Sequence, residues 1–228
     1  MEFEKVIERR RSIRAYTTKP VPEAVIRQAL AHALIAPNSS NMQSWEFYWV
    51  RSADKKQKLV EACLSQGAAR TAQELVVAVA TTRDWKRNAR EVAKVLRGQK
   101  ADQRVIDYYE KVMPLFYGLR WLGCVKLVLF AIIGLFRPMV RKPATSRDIQ
   151  EIAIKSAALA CENFMLSIAN QGFDTCPMEG MDEVRVRKTL GLRCADRVVM
   201  VLSVGERDPE AVLLPQVRLD SQWFLHEV

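Results

Sequence analysis

Two stretches of the chain, residues 74–82 (ELVVAVATT) and 195–205 (ADRVVMVLSVG), are apolar and β-branched almost without interruption. A strand with one wet face alternates apolar and polar side chains, so unbroken runs of this length predict strands covered on both sides. That requires a central sheet with helices on each face, and the rest of the sequence supplies them. Residues 23–36 (EAVIRQALAHALIA) follow Pro20 and Pro22, bring Ala24, Ile26, Leu30, Ala33 and Leu34 near helical spacing, and stop at Pro37. Residues 54–64 read as another helix, and residues 148–170 as the longest, closed by Gly172. Along the latter, Ile149, Ile152, Ala153, Ser156, Ala157, Ala160, Phe164, Ser167 and Ile168 recur at intervals of three and four. One side is apolar and rich in small residues, which predicts close approach of a second helix, within the subunit or across a dimer.

Residues 46–51 (EFYWVR) read as a short strand and 86–112 as charged, helix-forming sequence. Residues 173–176 lead into a loop PMEGM, followed by a short helix over 182–192. The last segment, 213–228 (LLPQVRLDSQWFLHEV), is too aromatic for a loose tail and is expected to pack on something. With 228 residues, 49% of them hydrophobic, and no repeat or Gly/Pro/Ser linker, one α/β domain over 1–228 is the economical reading.

The composition narrows the chemistry. Five cysteines (63, 124, 161, 176, 194) with no CxxC pair predict a reducing, cytoplasmic setting, not a disulfide framework or structural zinc. The N-terminus lacks the apolar core of a secretory signal and reads as the start of the mature fold. Two histidines, His32 and His226, leave no material for a histidine metal site or a serine triad, and GxSxG, GxGxxG and GxxxxGK[ST] are absent. Any redox or group-transfer chemistry then has to arrive with a cofactor. The net charge of +9, from 35 basic and 26 acidic residues, favours phosphate, nucleic acid or an acidic surface as partner.

Residues 115–136 (LFYGLRWLGCVKLVLFAIIGLF) stand apart: they are apolar but interrupted by Arg120 and Lys126, and the unbroken run, 127–136, is well short of the ~20 residues of a bilayer span. A buried or dimer-covered helix is the first reading. A helix lying in a membrane interface is the second, with Arg120, Lys126, Arg137, Arg141 and Lys142 toward anionic headgroups across 115–142.

The densest polar feature is Arg9, Arg10, Arg11, Ser12, Ile13, Arg14, four guanidinium groups in six positions. Such a run is commonly a solvated basic face or a nucleic-acid patch, and a basic module for nucleic acid or anionic membrane is the competing functional reading. Read together, RRSIRAY (10–16), PNSSNMQSW (37–45) and CPMEGM (176–181) resemble, in order and spacing, the nitroreductase family of flavin mononucleotide (FMN) enzymes. The resemblance is close over 8–50, good over 149–207, continues through LPQVRL at 214–219, and is only general over 53–147.

The resemblance implies an α+β fold: a central, mostly antiparallel sheet flanked by helices, a long core or dimer helix, a C-terminal extension packing on the partner subunit, and a variable apolar helical insertion at about 84–147. It implies a homodimer that passes hydride from NADH or NADPH through flavin N5 to an electron-poor acceptor, a nitroaromatic or a quinone, by a ping-pong cycle. Dehalogenation and flavin breakdown are alternatives on the same fold. It assigns the FMN phosphate to Arg10, Ser12 and Arg218, with Arg11 adjacent, and the pyrimidine edge of the flavin to Arg14, where a fixed cation stabilises the reduced ring. Pro37, Asn38, Ser39 and Asn41 of the second subunit close over the ring and ribityl chain, with Gln43 orienting their loop. Across Pro177, Met178, Glu179 and Gly180, the backbone amide near Glu179 and Gly180 faces N5. Gln216 stands where many members carry a cation, so Arg11 substitutes for the missing charge, and Gln66 and Arg70 stand near the Asn/Lys position that precedes the second strand. No side chain is required as acid or base. The 84–143 segment shapes the acceptor pocket, and its apolar content points to a bulky hydrophobic, quinone-like acceptor.

Overall fold

The computed structural model describes residues 2–118, 122–211 and 215–228. In chain order the elements are α1 (Phe3–Arg9), α2 (Glu23–Leu34), β1 (Trp45–Trp49), α3 (Ala53–Ala62), α4 (Gly67–Arg70), β2 (Glu74–Ala80) and α5 (Trp85–Gly98). They continue with α6 (Gln103–Asp107), π-helical stretches at Tyr108–Val112 and Pro114–Gly118, α7 (Gly123–Phe136), α8 (Ser146–Asn170), β3 (Asp174–Met178), α9 (Glu183–Leu190) and β4 (Arg197–Gly205). Among the described residues the strands form one sheet in the order β1-β2-β4-β3, every pairing antiparallel. The architecture is α+β.

The two uninterrupted apolar runs are the central strands, and their side chains divide by parity. Val76, Ala78 and Ala80 of β2, with Met200, Leu202 and Val204 of β4, face a layer made by α2 and α8. Leu75, Val77 and Val79, with Val201, face the opposite layer, with Leu59 and Val60 from α3, Cys63 just after it and Val186 from α9. The expected helix-on-helix contact lies within the subunit: Ile26, Ala29 and Ala33 of α2 share a core with Ala153, Ala157, Ala160, Phe164 and Ile168 of α8. The C-terminus of α8 is a Schellman closure, with Gly172 at φ +87° and bonds from Gly172 N–H to Ala169 O (3.1 Å) and from Phe173 N–H to Ile168 O (3.2 Å).

At its start, α8 is held by a reciprocal capping box: Thr145 Oγ1 accepts from Asp148 N–H at 3.2 Å, and Asp148 Oδ2 accepts from the Thr145 and Ala144 N–H groups at 2.9 and 3.0 Å. Burial alone would raise the Asp148 pKa, but these donors and nearby Lys142 outweigh it and hold it below the ordinary aspartate value. A depressed folded pKa means the cap's contribution is complete above about pH 4 and fades as pH falls through the folded value. Asp148→Asn is therefore expected to cost about 1 kcal/mol in urea unfolding at pH 7 and progressively less toward pH 3; an equal cost at both pH values would contradict the ionised cap.

One expectation needs correction and another is narrowed. Pro177 and Met178 are not loop residues: they end strand β3, where Pro177 pairs with Leu202, and the edge position makes the missing N–H harmless. Residues 86–112 are helical as expected, in separate pieces: α5 stops at Gly98, Lys100 takes a left-handed φ of +56°, and Asp102 caps a new helix by accepting from Arg104 N–H at 2.8 Å. Of the readings for 115–136, burial within its own chain is excluded, since Val125, Leu127, Val128, Leu129, Ile132, Leu135 and Phe136 of α7 are exposed, which leaves cover by a partner subunit or a membrane interface. Arg120 of that segment and Leu214 of the C-terminal one lie outside the described residues. Residues 215–228 are exposed within their own subunit, with a single 3-10 turn at Ser221–Trp223, and Pro215 to Arg218 face another part of it, residues 10–15 across a shared cavity.

Candidate functional site

The arginine run splits in two, and alternation along an extended segment decides which side chain goes where. Ile13 is wholly buried, its N–H donates to Thr175 O at 3.0 Å, and Ser12 bridges Thr175 of β3. Tyr16 is buried next, its hydroxyl 2.9 Å from Ser203 Oγ, and Thr17 N–H donates to Glu206 O at 2.9 Å. Residues 12–17 are thus stitched to β3 and the end of β4. Ser12 and Arg14, flanking the buried Ile13, are left on the surface side. Arg9 belongs to the scaffold: Nη2 donates to Gly172 O at 2.6 Å and lies 3.8 Å from the buried Asp174 carboxylate. Asp174 is also gripped by Arg207 Nε at 2.9 Å, and that hydrogen bond outweighs burial in raising the Arg207 pKa.

Arg10, Arg11, Ser12 and Arg14 instead line a cavity of about 460 Å³, closed on its other side by Ala211 and by Pro215, Gln216, Val217 and Arg218. Six of the residues singled out in the sequence, from opposite ends of the chain, therefore share one concavity. Four are guanidinium groups, one is a hydroxyl, and no carboxylate is among the lining residues. The nearest described carboxylate to Arg10 is that of Glu162, 3.8 Å from Nε. A donor-rich, carboxylate-free wall of this kind suits a phosphate dianion, which rewards forked, charge-assisted hydrogen bonds, and the volume lies in the small-ligand range of ~300–1,000 Å³.

The floor beside Arg14 is built by close approach. A Cβ on Gly67 would stand 2.7 Å from Arg14 O, so only glycine fits there. Next to it, Gln66 Nε2 donates to Gly180 O and to Cys63 O, both at 3.1 Å, and Met181 N–H donates to Glu179 O at 2.9 Å. Gln66 is thus a brace for the Glu179–Gly180 turn, while Arg70 is exposed on α4. On the inner side of Arg14, burial pushes the Cys176 thiol pKa up, and the nearby positive charge of the Arg14 guanidinium pulls back.

Pro37, Asn38, Ser39, Asn41 and Gln43 are not in this cavity within one subunit. Their loop holds an unusual shape: Ser40, Asn41 and Gln43 have φ of +53°, +48° and +47° without a glycine among them. Left-handed non-glycine residues cost energy and persist only where surroundings impose them. Here Asn38 Oδ1 accepts from Gln43 N–H at 2.8 Å, Asn88 Nδ2 donates to Met42 O at 2.8 Å, Ser40 Oγ lies 2.7 Å from Tyr108 OH, and Met42 is buried. Asn38 thus braces the loop from within, and Gln43 Nε2 adds a longer hydrogen bond to Asn41 Oδ1 at 3.4 Å. Asn88 and Tyr108, from the least family-like part of the chain, escaped the sequence reading because no local spacing links them to the loop. Beside them Trp85, Ala89, Tyr109 and Pro114 line a second cavity of about 330 Å³ with Lys86, Arg90 and Glu110.

Comparison with known proteins agrees with this architecture. The model of the nitroreductase family matches residues 7–206. MhqN of Bacillus subtilis, provisionally named an NAD(P)H nitroreductase, is 24% identical over 211 residues, 92% of this chain and 91% of its own length. The crystal structure of B. subtilis ydfN, provisionally described as a nitroreductase, superposes with a TM-score of 0.81 at 21% identity, over 100% of this chain and 99% of that one. A protein of Exiguobacterium sibiricum, provisionally described as a nitroreductase and crystallised in complex with FMN, gives 0.74 at 21% identity, over 100% of this chain and 97% of that one. The chain is an enzyme of the nitroreductase family.

Proposed function

We propose that the chain is a homodimeric FMN-dependent oxidoreductase, drawing hydride from NADH or NADPH and delivering it to an electron-poor small molecule, a nitroaromatic or a quinone, by a ping-pong cycle. The observation that carries this reading is the acid-free cavity joining Arg10, Arg11, Ser12 and Arg14 to Arg218. Bound FMN supplies the redox chemistry, taking up hydride and giving it to the acceptor; the chain's own residues hold and bias it. Arg10, Arg11, Ser12 and Arg218 bind the phosphate, Arg11 standing in for the charge that Gln216 lacks. Arg14 sets a fixed positive charge at the flavin's pyrimidine edge. The Glu179–Gly180 turn, braced by Gln66, presents backbone N–H toward the reacting edge. Pro37, Asn38, Ser39, Asn41 and Gln43 of the partner subunit cover the ring.

Two further observations support parts of this. The exposed Val217, Leu219, Trp223, Phe224 and Leu225 leave the C-terminal segment without cover in its own subunit, as an arm that wraps a partner requires. The 330 Å³ cavity at Trp85 and Tyr109 offers aromatic faces for a planar acceptor.

Purified protein is expected to be yellow, with the absorbance bands of FMN, and to bleach anaerobically on addition of NADH or NADPH. Colourless protein that takes up no added FMN would refute the proposal. Arg14→Ala is expected to retain FMN but lower its potential, on the order of 40 mV for loss of one nearby partly screened charge. An unchanged potential would remove Arg14 from its assigned role.

A further inference from the structure

From Lys111 through Arg147 the sequence contains no Asp or Glu but seven basic residues, and α7 lies in its middle. This helix is inside out for a helix of a water-soluble surface. Its one charged residue, Lys126, is turned inward and buried, with Nζ donating to Phe116 O at 3.3 Å, and desolvation lowers its pKa. Apart from Cys124, the outward positions are aliphatic or aromatic, ending in Leu135 and Phe136, 79% and 84% exposed. Arg137 and Arg141 follow directly; Arg141 Nη2 donates to Gly134 O at 3.2 Å, lying against the helix where a Cβ on Gly134 would collide with it. Among the described residues Arg137, Arg141 and Arg147 have no ion-pair partner, whereas Lys142 pairs with Asp148 and Glu151 at 3.6 and 4.0 Å.

We infer that α7 and its basic C-terminal flank are a docking surface for an anionic phospholipid bilayer, the helix lying in the headgroup plane. Its 14 residues extend about 21 Å, short of the ~30 Å hydrocarbon core, so it does not span. Exposed Leu and Phe side chains enter the acyl boundary while the unpaired guanidinium groups meet lipid phosphates. Charge selects this occupant over a second copy of the chain, because a two-fold contact through α7 brings identical acid-free flanks together. The inference is independent of the flavin reading, since its readout is lipid partitioning.

The test is flotation of the full-length protein with vesicles of equimolar phosphatidylglycerol and phosphatidylcholine, and with phosphatidylcholine alone. Binding is expected to the anionic vesicles, to fall steeply in ~1 M salt, where the screening length is ~3 Å, and to be much weaker to the neutral ones. Leu135→Glu/Phe136→Glu is expected to weaken it at least about tenfold, and Arg137→Glu/Arg141→Glu at least about twenty-fold, with unchanged thermal unfolding in both. Failure to float with anionic vesicles overturns the inference. So does binding that neither variant weakens, which would assign it to another surface such as Arg9–Arg14. A fall in mass by light scattering for Leu135→Glu/Phe136→Glu, with no vesicle binding by the parent, would assign the face to a second copy and likewise overturn it.

Discussion

Replacing Arg10 and Arg218 together with Ala is expected to raise the dissociation constant for FMN by two to three orders of magnitude, with thermal unfolding of the ligand-free protein nearly unchanged. Each charge-assisted hydrogen bond to phosphate contributes roughly 1.5–3 kcal/mol, and we take the lower end because Arg218 is solvent-exposed. Two such losses amount to at least about 3 kcal/mol, or more than a hundredfold in affinity. Fluorescence titration of FMN measures it directly. Arg9→Ala is the contrast: Arg9 is bound to Gly172 and lies beside Asp174, so its loss should lower stability more than affinity. If the double variant bound FMN within threefold of the parent, the cavity between the chain's two ends would not be the phosphate site.

The second large effect concerns the scaffold. Phe164 is fully buried in the core that α8 shares with α2 and the sheet. Phe164→Ala is expected to destabilise the protein by about 3–5 kcal/mol, through lost transfer energy and the cavity left behind. For a chain of this size that lowers the melting temperature by roughly 6–20 °C. Leu159→Ala, on the same helix but 50% exposed, should change stability by about 1 kcal/mol or less. Equal effects at the two positions would mean that α8 does not use the face seen here.

How much of this was legible in the sequence depends on how local the determining physics is. Strands β2 and β4 announced themselves because a strand covered on both faces has nothing polar to alternate with. Helix α8 was legible from spacing and from the glycine that closes it. The antiparallel order of the sheet was not readable from those runs: two-sided cover does not distinguish it from a parallel sheet, and it came only with the family resemblance. Pro177 misled because proline usually marks a turn; only the edge position of β3, a tertiary fact, makes it a strand residue. Among site residues, Arg10, Ser12 and Arg14 were visible as a motif, but the diversion of Arg9 to Gly172 and Asp174 was not. That depends on Ile13 being drawn into the core and on a helix end more than a hundred residues away. Gln66 came into view only through the family resemblance, and Gly67, Asn88 and Tyr108 were beyond reach as positioning residues for the same reason: each acts on a segment remote in sequence.

The cavity's two walls have very unequal anchorage. Residues 12–17 are sewn to the sheet, whereas Pro215 to Arg218 are exposed and carry no described hydrogen bond to the sheet. An anion held between them, as proposed for the FMN phosphate, would act as a reversible clasp on the less anchored wall. Ligand supply would then govern, by mass action, how long that wall stays seated, so vulnerability of the segment to peptidases and starvation for the prosthetic group would become two readings of one equilibrium.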